Sequence, residues 1–167
     1  AFRWTGRVDV AVLDRVLHEL VARHESLRTS FSEVDGNPWS TISNAAPSVL
    51  THITVDANAG GGVEQALLDR ATGVIQQPFD LSASPLIRAF LVSAGEEQHV
   101  FGVVLDHIIA DGISVAILTQ EFARLYAAEI RGQAPNLLPL EFQYVDYAEW
   151  IRQELADGAM ARHLAYW

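Results

Sequence analysis

Leu105-Asp106-His107-Ile108-Ile109-Ala110-Asp111-Gly112-Ile113-Ser114 places a histidine and two aspartates between two elements of different periodicity. Upstream, Val100-Phe101-Gly102-Val103-Val104-Leu105 is a short apolar run, partly β-branched, as a buried strand requires. Downstream, Ile113 to Ile130 reads as a helix, with Leu118, Phe122 and Leu125 on one stripe. A strand-to-helix turn on a rigid scaffold is a place where side chains can be presented to a ligand.

Outward from that turn, strands and helices alternate. Phe2 to Thr5 predicts a strand, and Asp9 an N-cap for a helix running to about His24, with Val10, Leu13, Leu17 and Leu20 at helical spacing. Arg28 to Val34 and Trp39 to Ser43 read as a hairpin around Asp35-Gly36-Asn37-Pro38. Leu50 to Val55 is a further strand. Gly60-Gly61-Gly62 opens a helix over Val63 to Gln77, which Pro78 ends. Leu86 to Ser93 is strand-like and turns at Gly95-Glu96-Glu97 into the strand that leads to His107. Gln133 to Leu140 is expected to cross the surface, Asp146 to Leu155 to be an amphipathic helix, and a short helix to follow Gly158. The alternation points to an α/β (α+β sandwich) fold, a mixed β-sheet flanked by helices.

The chain has 167 residues, enough for one domain or one lobe of a larger one. Half of it is apolar, and the net charge is −10 with no lysine, so no basic stripe marks a nucleic-acid partner. Without cysteine there is no disulfide framework, thiolate chemistry or Cys-ligated zinc. No apolar run is long enough to span a membrane and no signal peptide opens the chain, so a cytoplasmic protein is expected. Ala1-Phe2-Arg3-Trp4 opens inside a strand-like run without an initiator Met, and the chain stops on Tyr166-Trp167, which predicts a fragment.

His107 is the leading catalytic candidate, because imidazole as a side-chain type exchanges protons near neutral pH. The competing reading is a core histidine at a strand end, satisfied by backbone groups. Asp106 and Asp111 can form a carboxylate pair, or one of them can cap the following helix. A metal site on Asp106, His107 and Asp111 is disfavoured, since adjacent strand residues point to opposite faces and no helical His pair supports it. A Ser–His pair using Ser114 is conceivable, yet nothing resembles a nucleophile elbow. His18, His24, His52, His99 and His163 are scattered and read as structural. Gly60-Gly61-Gly62 lacks the Lys and Ser/Thr of a phosphate-binding loop.

Asp106-His107-Ile108-Ile109-Ala110-Asp111-Gly112 resembles the HHxxxDG motif of condensation domains in nonribosomal peptide synthetases. Three further blocks are similar to that family and follow in its order: Arg23-His24-Glu25-Ser26-Leu27-Arg28-Thr29-Ser30-Phe31 (RHExLRTxF), Gln77-Pro78-Phe79-Asp80-Leu81 with Pro85-Leu86-Ile87-Arg88 (PFDL…PLxR), and Tyr144-Val145-Asp146-Tyr147-Ala148-Glu149-Trp150 (YxDYAxW). The resemblance implies a chloramphenicol-acetyltransferase-like fold of two lobes, residues 1–167 being the N-terminal lobe, incomplete at both ends, with the C-terminal lobe absent. It implies amide formation between donor and acceptor thioesters, both on 4'-phosphopantetheine arms of peptidyl carrier proteins, with an adenylation domain adjacent and no cofactor or metal held by this lobe. His107 matches the motif's second His, beside the attacking amine. Asp111 is implied to be structural, ion-paired with Arg28 or, as second choice, Arg88; a buried pair broken on one side costs ~3–5 kcal/mol. Gly112 is implied to let the backbone approach the pantetheine arm.

The motif's first His is Asp106 here, so the stretch also resembles the D-x-x-x-x-D-x-x-S signature of heterocyclisation domains through Asp106, Asp111 and Ser114. His107, Gly112 and the other blocks favour condensation. An epimerisation domain shares the His motif, and a condensation-like domain without chemistry can serve as a recruitment platform. A lobe alone is expected to expose apolar surface and to be inactive.

Overall fold

The computed structural model describes residues 1–56 and 62–167. It falls into two compact units, Ala1–Leu137 and Leu138–Trp167. The expected turn at Gly60-Gly61 and the side chain of His163 lie outside the described residues.

In the first unit, strands β1 (Phe2–Thr5), β4 (Leu50–Thr54), β5 (Ile87–Ala94) and β6 (Gln98–Leu105) form one sheet in the order β1-β6-β5-β4. The β1–β6 and β6–β5 pairs are antiparallel and β5–β4 is parallel, so the sheet is mixed, as the alternating pattern predicts. Strands β2 (Thr29–Val34) and β3 (Asn37–Ile42) pair with each other as a separate two-stranded sheet, with Phe31 N–H also donating to Leu81 O at 2.7 Å. Their two-residue turn, Asp35-Gly36, has φ of 51° and 77°, a left-handed geometry that matches the twist of the flanking strands. Asn37 and Pro38, expected in the turn, are already in β3. A turn of 3-10 helix over Glu25–Arg28 takes up the first residue of the expected Arg28–Val34 strand.

Two helices, α1 (Val10–Arg23) and α3 (Gly112–Arg131), pack together; α2 (Val63–Ile75) packs on β5 and β6. Asp9 caps α1 as predicted, its Oδ1 accepting from the N–H groups of Ala11 and Val12 at 3.0 and 3.1 Å. The alternation of β5 then assigns its faces. Ala89 and Leu91 join Leu13, Leu17, Val21 and Phe101 in one core cluster, while Phe90 and Val92 join Leu67, Ala71 and Val74 of α2 in another. A strand buried on both faces explains the continuous apolar run Ala89-Phe90-Leu91-Val92 within β5. Leu125 of α3 closes a third cluster with Val12, Val16 and Leu20, with Leu118 and Phe122 packed against it as the predicted stripe requires.

The second unit holds α4 (Tyr144–Ala156) and α5 (Ala159–Tyr166). Asp146 Oδ2 accepts from the Gln143 N–H at 2.7 Å, which starts α4 two residues before the expected Asp146. Tyr144, Tyr147 and Trp150 follow at i, i+3, i+6, with ring centroids 6.0 and 5.9 Å apart.

Candidate active site

β6 ends at Leu105, and Asp106 N–H donates to the carbonyl of Leu86, the residue before β5, at 3.0 Å. His107 therefore lies in the turn beyond the strand, so opposite-facing strand neighbours do not describe Asp106 and His107. The turn closes on Asp106. Its backbone carbonyl accepts from Ile109 N–H at 3.2 Å, and its side-chain Oδ1 accepts from Ile108 N–H at 3.0 Å. That is an Asx-turn, in which a short carboxylate replaces a backbone acceptor. Ile109 is buried in the core cluster of α1 and β5, which anchors the turn from below.

Asp111 is the N-cap of α3. Its Oδ1 accepts from Ser114 N–H at 2.8 Å and from the Ser114 hydroxyl at 2.7 Å. These two bonds, the backbone one first, hold its carboxyl below the usual aspartate range. The expected ion pair is not made. Arg28 instead lies 3.6 Å from Glu25 and donates to the Ser43 carbonyl. Arg88 donates to the carbonyls of Gln77 at 3.1 Å and Val74 at 3.3 Å, with its guanidinium 4.5 Å from the centroid of Phe79. Both arginines are occupied elsewhere, and Asp111 is exposed and satisfied by its own helix. The penalty of a broken buried pair therefore does not apply to it.

Asp106 and Asp111 are each committed to their own turn, and Ser114 donates its hydroxyl to Asp111, so neither a carboxylate pair nor a Ser114–His107 couple is formed. Among the described residues no group of three or more His, Asp or Glu is placed to hold a metal ion. No described helix is long and apolar enough to cross a membrane.

His107 is exposed, and among the described residues its imidazole has no hydrogen-bond partner. A satisfied core histidine looks different. His99 shows the contrast: it is buried, with Nδ1 2.8 Å from Ser93 Oγ and Nε2 3.1 Å from the carbonyls of Gly6 and Glu96. Beside His107, Ile108, Ile113 and Ile117 are exposed on the turn and the first turns of α3. A Cβ built on Gly112 meets nothing within 4 Å, so the protein's own packing does not require glycine there. A cavity of about 270 Å³ opens next to the end of β6, lined by Val103, Leu105, Val115, Leu118 and Phe122 among others. The arrangement can present an unengaged imidazole, held on a braced turn, to a molecule arriving from outside the chain.

The family model for the condensation domain matches residues 1–167. The chain belongs to the condensation domain family. It is 41% identical over 169 residues to cyclosporin synthetase simA of Tolypocladium inflatum, matching 100% of this chain and 1% of that protein. It is 36% identical over 175 residues to the dimodular nonribosomal peptide synthase of Bacillus subtilis, again over 100% of this chain and 7% of the relative. The relatives are nonribosomal peptide synthetases, and the chain spans a few hundredths of their length. Among solved structures, the X-domain from teicoplanin biosynthesis has a TM-score of 0.80 at 35% identity, over 95% of this chain and 33% of that one. The epimerization domain from the third module of tyrocidine synthetase B has a TM-score of 0.81 over 99% of this chain and 38% of that one; at 20% identity it shares the fold.

The sequence reading missed Glu121. Its carboxylate is buried and accepts from Arg23 Nε at 3.2 and 3.1 Å, with His24 Nε2 2.6 Å from Oε2. Burial pushes its pKa up, but the bonds and charges of His24 and Arg23 outweigh this and the carboxyl sits below the ordinary glutamate value. A glutamate on the apolar stripe side of α3 was the available signal.

Proposed function

We propose that this chain is the N-terminal lobe of a condensation domain that forms an amide between two carrier-bound thioesters. One observation carries the reading: His107 stands exposed, without an intramolecular partner among the described residues, on a turn that Asp106 and Asp111 brace from either side. In the proposed reaction the acceptor's amine nitrogen attacks the donor thioester carbonyl. The new C–N bond forms, the C–S bond breaks, and the donor pantetheine leaves as a thiol. The nitrogen sheds one proton in the process. His107 takes that proton, or holds the amine in line for attack by a hydrogen bond. The open space at Gly112 suits close passage of a pantetheine arm, and the exposed Ile108, Ile113 and Ile117 suit cover by a second lobe.

The match to about a third of the length of the solved relatives is in keeping with one lobe of two. The partners on this reading are donor and acceptor peptidyl carrier proteins, the second lobe and an adjacent adenylation domain. A second reading has one specific observation in its favour: the X-domain that this chain resembles at 35% identity was solved in complex with OxyB, as a domain bound to another protein. On that reading the chain is part of a recruitment platform.

The deciding experiment is the product mass from the intact domain given loaded donor and acceptor carriers, for wild type and His107→Ala. A condensed acyl thioester that disappears in the variant supports the proposal. A product lighter by a further water moves the assignment to heterocyclisation, and partner binding without product favours the platform.

A further inference from the structure

From the position of Glu121 we infer that it is a positioning residue for His107, setting the rotation and height of α3 through Arg23 and His24. The inference rests on the condensation reading for its catalytic consequence, and on geometry alone for the coupling itself.

α3 packs on α1 through the apolar Leu118, Phe122 and Leu125, with a solvent-exposed Arg15–Glu129 pair near its far end and aromatic contacts from Phe122 and Tyr126 to Phe101 and Trp4. Among the described residues, the Glu121 cluster is the buried ionic contact between the two helices. The Glu121 cluster is directional. Arg23 Nε faces both carboxylate oxygens and His24 Nε2 approaches Oε2 at 2.6 Å, so a turn of α3 about its axis breaks the arrangement. His24 cannot follow such a motion. Its backbone caps the end of α1 by donating to Leu20 O at 3.1 Å, and its carbonyl accepts from Leu27 N–H at 3.1 Å. Buried ionic groups are best attested as devices of register rather than of net stability.

Glu121 lies ten residues beyond Asp111, the cap of the same helix, hence roughly 15 Å along a stiff axis. Moving α3 moves Asp111, and Asp111 is joined to His107 through three residues, of which Ile109 is buried. The clamp therefore sets where the turn stands relative to β6. It also gives the Arg-His pair of the RHExLRTxF block a physical role.

The test uses the intact protein with Glu121→Gln, which keeps the volume, and Arg23→Lys, which keeps the charge but loses the guanidinium geometry. Two readouts are taken: amide hydrogen exchange at Ile108, Ile109 and Ser114 against that of β5, and kcat and KM for amide formation. The expectation is about tenfold faster exchange in the turn with β5 unchanged, and a kcat lowered on the order of 10–100-fold, the cost of roughly an ångström of misplacement, with KM for the carriers unchanged. Turn exchange equal to wild type, acceleration spread equally into β5, or a wild-type kcat in both variants overturns the inference. If wild type forms no amide at all, the condensation reading falls, and the exchange data alone uphold or overturn the coupling.

Discussion

Replacing Gly102 by alanine tests the packing that aims β6, and with it the turn that β6 delivers. A Cβ at Gly102 would stand 2.3 Å from Phe90 Cζ, 2.7 Å from Cε1 and 2.9 Å from the Ala1 Cβ. Ordinary carbon contacts are ~3.5–4.0 Å, so the ring would have to retreat by more than about 1 Å. It has nowhere to go: Phe90 is 0% exposed and packs in the cluster of Leu67, Val74 and Val92. Overpacking of a full core costs typically ~1–3 kcal/mol, and the gain from removing a strand glycine, ~0.5–1 kcal/mol, offsets part of it. The net expectation is a loss of about 1 kcal/mol, or a Tm lowered by roughly 2–4 °C for a chain of this size. Thermal melts followed by circular dichroism should be run on Gly102→Ala, Phe90→Leu and the double variant. Shortening Phe90 vacates the clash, so the double variant should be more stable than the sum of the two single losses by about 1 kcal/mol or more. A Gly102→Ala melt indistinguishable from wild type, or strict additivity, would refute the reasoning.

Leu17→Ala removes a side chain at 2% exposure from the α1–β5 core and should cost ~2–5 kcal/mol, read from urea denaturation. Asp111 has a folded pKa below its unfolded one, so its contribution to stability is present above the ordinary value of 3.8 and is lost as pH falls through the depressed folded value; Asp111→Asn should flatten that part of the stability–pH curve. Asp106→Asn keeps the acceptor for Ile108 N–H and should retain amide formation, whereas Asp106→Ala should lose one bond of the turn, ~0.5–1.5 kcal/mol; loss of activity in the Asn variant would instead assign the carboxylate a charge-dependent role, as heterocyclisation requires. Residues 1–167 alone should form no amide in the carrier assay, and product from them would overturn the two-lobe reading.

What could be read along the chain was what local chemistry determines. Asp9 announces a helix start because a carboxylate two and three residues ahead of free N–H groups is sufficient by itself. Asp35-Gly36 announces a hairpin because both residues tolerate positive φ. The apolar run over residues 89–92 in β5 announces a strand, and its burial on both faces accounts for the lack of alternation there. The position of His107 was legible from its place after such a strand. The partners of the charged residues were not legible. Arg23 and His24 meet Glu121 across about a hundred residues of chain, and nothing near Arg28 in sequence distinguishes the Ser43 carbonyl from Asp111 as its acceptor. Charge pairing is long-ranged and weakly patterned, so a basic residue in a motif specifies that it needs an acceptor without specifying which one.

Asp106, which stands where the family motif has its first histidine, is used by the turn itself. The position asks for a short side chain whose acceptor reaches an N–H two residues on, and an aspartate does this through Oδ1. Asp111 does the equivalent at the other end, three residues on, where the helix start supplies two donors. Each carboxylate thus commits one oxygen, Oδ1, to the turn next to it. Neither reaches the other, and neither reaches an arginine. Between them only His107 and Ile108 are exposed side chains without a bond of their own, one polar and one apolar. Chemistry on the two carboxylates would draw on groups that already hold the turn through Oδ1, whereas chemistry that requires one free imidazole uses a side chain the turn does not need. That asymmetry, rather than the presence of any one residue, is the argument on which the proposal of condensation over heterocyclisation rests.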